Sequence, residues 1–110
     1  MRITPNDLHN IVCRMNRILT AESQGKTYLP DDANVTEYFT ISCAYGGYQL
    51  CNSDGSRNVL NTGHIKARDA YEIWHAYRNA METAFIAIDN VSDELAAGMR
   101  DALVAAYGRK

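Results

Sequence analysis

What this sequence is short of sets its limits first. Its 110 residues include only two prolines, one tryptophan and three cysteines. The cysteines form no C-x-x-C pair and no zinc-finger spacing, so they read as reduced thiols and not as a disulfide framework. No stretch approaches the roughly 18 apolar residues of a membrane span. A basic surplus is also missing: 11 basic residues stand against 13 acidic ones, for a net charge of −2. The two halves are alike, with five basic and six acidic groups in residues 1–63 and six and seven in 64–110. That balance leaves no basic arm and no acidic tail, and it lacks the basic excess usual in a domain that lives on phosphate backbones. Residues 1–7 lack the apolar stretch of a signal peptide, so a cytoplasmic chain is expected and the Asn34-Val35-Thr36 sequon is accidental. The chain is too short for a doubly wound dinucleotide fold or an eight-stranded α/β barrel, and no cofactor is expected. Only 27 residues are Leu, Ile, Val, Met, Phe or Trp, enough for one core and a single domain over residues 1–110.

What is present is strongly periodic. Thr4, Pro5 and Asp7 form a helix start, with a capping hydroxyl, a proline in the first turn and an acid three residues after the cap. Leu8, Ile11, Val12, Met15, Ile18 and Leu19 then recur at steps of three and four, which predicts a helix ending near Ser23. Turn formers fill residues 24–36. A second helix is expected from Lys66 for about six turns, with the stripe Ala67, Ala70, Tyr71, Trp74, Tyr77, Met81, Ala84, Phe85 and Ile88. Asn90 or Ser92 can cap a third helix, with the stripe Leu95, Ala96, Met99, Ala102, Leu103 and Ala106. Gly98 inside it suggests close packing, and Gly108 can end it.

Residues 37–60 read as a three-stranded antiparallel meander, with Tyr38–Tyr45, Tyr48–Asn52 and Arg57–Leu60 as strands. Gly46-Gly47 and Asp54-Gly55 are the hairpin signals. Alternation puts Phe39, Ile41 and Cys43 on the face that meets the helices. A two-residue Gly46-Gly47 turn pairs Cys43 with Leu50 and sends Cys51 to the opposite face. A one-residue bulge would set the two cysteines side by side. The former aligns Ile41, Cys43, Tyr45, Tyr48 and Leu50 and is favoured. The expected fold is α+β: one helix, the meander, then two helices, all packed on one sheet face, with both sheet edges open.

Chemistry-bearing patterns are thin. Gly25-Lys26-Thr27 resembles the end of a phosphate-binding loop, but position 20 is threonine where that loop needs glycine, and a turn is the better reading. Glu72 and His75 have the E-x-x-H spacing of helical metal sites without a second copy. Asp31-Asp32 lacks the spacing of a calcium loop. No cysteine stands beside an evident base. No catalytic or metal-ligating residue is assigned. The tyrosines are more telling. Tyr28, Tyr38, Tyr45 and Tyr48 gather around the first hairpin, and tyrosine supplies rigid amphipathic contact area. Tyr38, Tyr45 and Tyr48, with Arg57, are the candidate partner-binding residues. Arg14, Arg17 and Lys26 are the candidates for a nucleic-acid alternative.

Residues 38–50, Tyr-Phe-Thr-Ile-Ser-Cys-Ala-Tyr-Gly-Gly-Tyr-Gln-Leu, resemble the Y-x-I-x-x-A-Y-G-G-Y-x-L hairpin of small phage and prophage proteins. Lys66-Ala67-Arg68-Asp69-Ala70-Tyr71 is similar to the K-x-R-E-L-Y helix start that follows it there, with Asp69 for glutamate and Ala70 for leucine. With the first helix, the likeness spans roughly residues 5–85, and the third helix lies beyond it. It implies a phage or mobile-element origin and carries over no functional residue. Size, charge, open edges and this hairpin point to a non-enzymatic accessory protein that binds a host or phage protein complex. Inhibition of a bacterial defence system, as by anti-CRISPR proteins, is its most concrete form. A homodimer through a sheet edge or the long helix is compatible with it.

Overall fold

The computed structural model describes residues 2–26, 28–53, 58–60, 62–88 and 93–107. Helix α1 spans Pro5–Ser23 and opens with the capping box anticipated from its sequence. The Asp7 N–H donates to Thr4 Oγ1 at 3.3 Å, and the Thr4 N–H donates to Asp7 Oδ2 at 2.8 Å. At its other end Gly25 has φ 71°, while the Lys26 N–H reaches the Ala21 carbonyl at 2.9 Å. This is a Schellman stop, which asks for a left-handed residue that glycine fills without strain. Gly25 and Lys26 therefore terminate a helix.

Helix α2 spans Ala67–Ile88 and helix α3 spans Asp93–Tyr107. The first two stripes become core: Leu8, Ile11, Val12, Met15 and Leu19 of α1 are buried against Ala70, Trp74, Met81, Phe85 and Ile88 of α2. α1 and α2 run in the same direction, since Asp7 shares a groove with Tyr71 while Arg14 reaches Glu82 further along. α3 packs on α1 and α2. Its stripe divides differently from the expectation. Ala96 is buried and Leu103, Val104 and Tyr107 pack on the core, whereas Leu95 and Met99 are exposed. The Tyr107 ring meets Tyr77 edge-on, which turns the helix by about one residue position (~100° in an α-helix) from the stripe read off its alanines. Gly98 is exposed, and a Cβ there would meet nothing within 4 Å, so the expected close packing does not occur. The candidate caps Asn90 and Ser92, and Gly108, lie outside the described residues.

The sheet has two strands, β1 (Phe39–Ala44) and β2 (Gly47–Asn52), paired antiparallel. The expected third strand is reduced to isolated bridges. Asn58 meets Cys51, the chain loops away, and Ile65 returns to Tyr48. A three-residue step along β2, from Tyr48 to Cys51, thus faces a seven-residue step from Asn58 to Ile65, so the two bridges cannot belong to one continuous ladder. The Asp54-Gly55 turn lies outside the described residues. The hairpin turn is Tyr45-Gly46, with φ of 55° and 73°, the two left-handed positions of a type I′ turn. The turn is accordingly one residue earlier than the favoured one, and every cross-strand partner shifts by two with the faces unchanged: Cys43 faces Tyr48 and not Leu50, Ile41 faces Leu50, and Thr40 faces Cys51. Cys43 and Cys51 lie on opposite faces, as the absence of a bulge requires. Phe39 and Leu50 meet the helices, but Cys43 is exposed and not in the core.

Nor are both edges open. The outer edge of β2 is covered by Ile65, whose N–H and carbonyl bond Tyr48 at 2.9 and 2.8 Å, and by the Val59 N–H on the Leu50 carbonyl. On β1, Asn16 takes both backbone groups of Phe39. Only the outward groups of Ile41 and Cys43 remain, among the described residues.

Candidate partner-binding hairpin and basic side chains

The three hairpin tyrosines fall into two kinds. Tyr38 and Tyr48 are half-buried and pack on the core, so they belong to the fold as much as to a surface. Tyr45 is 97% exposed at the tip of the turn. Its ring meets His64 edge-on at a centroid distance of 5.9 Å. His64 in turn is fixed by Ser42, with Oγ to Nε2 at 2.9 Å. Gly47 makes that docking close: a Cβ there would stand 3.0 Å from backbone atoms of both His64 and Ile65. The tip is thus a braced projection. Beside it lies a shallow hollow of about 330 Å³ lined by Cys43, Ala44, Gly46, Gly47 and Tyr48. Arg57 lies outside the described residues.

The nucleic-acid candidates do not form a track. Arg14 is exposed and pairs with Glu82 at 3.1 Å. Arg17 donates through Nη2 to the carbonyls of Leu29 and Pro30, both at 3.1 Å, and so ties the 28–30 segment to α1. Lys26 is exposed at the helix stop. Asp31 lies in the same groove as Arg14 and Arg17.

Sequence reasoning missed the contacts that bring side chains together across elements. Ser42 and His64 are one such pair, and no described carboxylate bonds His64. His9 Nε2 and Cys13 Sγ, one helical turn apart, are 3.2 Å from each other. The i, i+4 spacing could have flagged that pair. His75, read as half of an E-x-x-H pattern, stacks on Tyr71 and bonds Arg78 and Asn79 instead. Among the described residues no group of three or more His, Cys, Asp or Glu side chains could hold a metal ion. No described helix is long and apolar enough to cross a membrane. No family model, curated protein or solved structure matches this chain.

Proposed function

We propose that this protein is a small binding module, of phage or mobile-element origin, that acts by gripping a host or phage protein through its hairpin tip. Antagonism of a bacterial defence complex is the specific form of that role. One observation carries the reading. A tyrosine occupies a left-handed turn position that favours Asn, Asp or Gly, and almost all of its surface is exposed. Local stability gains little from that choice, whereas tyrosine is enriched among the side chains that dominate protein interfaces. The adjoining hollow and the open groups of Ile41 and Cys43 give a partner further surface next to the tip. The nucleic-acid alternative is weaker, because Arg17 already serves the fold and acidic side chains interrupt the basic ones.

The test is quantitative capture of proteins from the bacterial host with the wild-type chain and Tyr45→Ala. Equal circular dichroism and equal unfolding midpoints serve as the control for an intact fold. The reading expects a partner retained by the wild type and reduced about tenfold or more by the variant. A partner captured equally by both would remove the tip from the interface.

A further inference from the structure

The outer edge of β1 is the one stretch of the sheet left unprotected among the described residues. In a two-residue hairpin the pair next to the turn is a hydrogen-bonded one, and bonded pairs then alternate along the ladder. Ala44, Ser42 and Thr40 therefore bond β2, while Cys43, Ile41 and Phe39 point their backbone groups away from it. The same alternation turns Tyr48 and Leu50 outward on β2, where Ile65 and Val59 meet them. On β1, Asn16 meets Phe39. The N–H and carbonyl of Ile41 and of Cys43 bond nothing among the described residues. Nor does β1 carry the devices that keep an edge from pairing: Phe39–Ala44 contains no charged residue, no proline and no bulge.

We infer that β1 pairs antiparallel with β1 of a second copy, about a twofold axis at Ser42. In that register Ile41 of each copy faces Cys43 of the other. Both residues point outward, so each pair exchanges two N–H···O bonds, and the four open groups of each copy are all used. A register shifted two residues either way aligns only one such pair. The side chains agree with it. Half-buried Ile41 and exposed Cys43 become cross-strand neighbours on one face, and the two Ser42 residues meet on the other. No like charges are opposed, because neither strand holds a charge. A second copy is also the occupant that closes the sheet. Asn16 stops the pairing at Phe39, the turn stops it after Ala44, and the far edge of each β2 is already met by Ile65 and Val59. A single foreign strand would bring a second unpaired edge of its own. The seam is short, so the dimer is a weak one, with Kd on the order of 100 µM.

Sedimentation equilibrium of the isolated protein, up to about 1 mM, tests this. It needs no other protein, so its outcome is independent of the hairpin-tip reading. The mass should rise with concentration from 12.3 kDa towards twice that value. Cys43→Pro removes an outward donor and leaves the β1–β2 bonds in place, so it should weaken the dimer about tenfold or more at unchanged circular dichroism. Ser42→Cys sets a thiol on the axis, where facing Cα atoms stand about 4.5 Å apart, within disulfide reach. Oxidised glutathione should then give a dimer linked through position 42 on peptide mapping. The native Cys43 thiols should not link, because their Cα atoms are about 8 Å apart in this register. A constant mass of 12.3 kDa overturns the proposal. A dimer undiminished by a folded Cys43→Pro overturns it too, as does a link through Cys43 with none at position 42. If Cys43→Pro loses its fold, the position-42 link decides alone.

Discussion

Asn16 holds Phe39 by both of its backbone groups. Its Oδ1 accepts the N–H of Phe39 at 2.9 Å, together with that of Tyr38, and its Nδ2 donates to the Phe39 carbonyl at 3.2 Å. Asn16 is buried, so one side chain completes the strand edge where α1 crosses it. Asn16→Leu leaves three backbone groups unpaired in a dry site and should destabilise the fold by about 2–5 kcal/mol. Chemical denaturation measures it. Asn16→Asp keeps two of the three bonds and should fall between the two. A loss below about 0.5 kcal/mol for Asn16→Leu would show that water replaces the amide.

Two ion pairs should respond oppositely to burial. Arg100 Nε lies 2.7 Å from Glu22 Oε2, with side chains 18% and 8% exposed. Arg14 and Glu82 are 3.1 Å apart and 59% and 29% exposed. Removing one partner of a buried pair strands the other charge, so Arg100→Ala should destabilise by about 3 kcal/mol with little dependence on salt. Arg14→Ala should stay within about 1 kcal/mol, and its effect should shrink as salt is added. Unfolding midpoints of both variants at low and high salt decide this.

How much of this was legible follows from which forces act within one element. The helices and the N-cap of α1 were readable, because periodicity and the Thr4–Asp7 box are local. The hairpin was found from Gly46-Gly47 but its turn was placed one residue late, since either adjacent pair can turn and the resulting two-residue shift of register leaves Phe39, Ile41 and Leu50 on the same face, so the apolar pattern does not choose between them. The third strand failed because the chain after Asn58 docks by single bridges, which leave no alternating pattern. The α3 stripe failed because its alanines suit either a packed or an exposed face. Among site residues, Tyr45 was identified, but its separation from Tyr38 and Tyr48 depends on the core. Arg17, a nucleic-acid candidate by its charge, is structural, as are Asn16 and Glu22, and none of this is visible in the α1 pattern because their partners are distant in sequence.

Two glycines should answer an alanine scan with opposite signs. In Gly47→Ala the new methyl would meet backbone atoms of His64 and Ile65 at 3.0 Å, and backbone cannot rotate away. A loss of about 1–3 kcal/mol is expected, with faster hydrogen exchange at Tyr48 and Ile65, whose amides form that docking. In Gly98→Ala the methyl meets nothing within 4 Å on an exposed helical position. It should stabilise by about 0.5–1 kcal/mol through the lower entropy of the unfolded chain. Thermal unfolding of the pair checks both signs.

The hairpin tip makes the most discriminating prediction, because stability and binding should move apart. Tyr45 sits at φ 55° with 97% of its surface exposed, so its fold-side gain is the edge contact with His64. Such an exposed contact is worth about 0.5 kcal/mol, whereas the left-handed backbone costs a non-glycine residue about 1 kcal/mol or more. Asparagine tolerates that conformation and forms the preferred Asn-Gly turn with Gly46. Tyr45→Asn should therefore raise the unfolding midpoint by a few degrees while reducing partner capture about tenfold. A lower midpoint would mean that the Tyr45–His64 contact anchors the loop after Asn58, and tyrosine would then be explained by the fold. A raised midpoint with undiminished capture would leave the strained tyrosine without a binding role. Stability gained and capture lost together match a residue kept at the tip for what it touches in a partner.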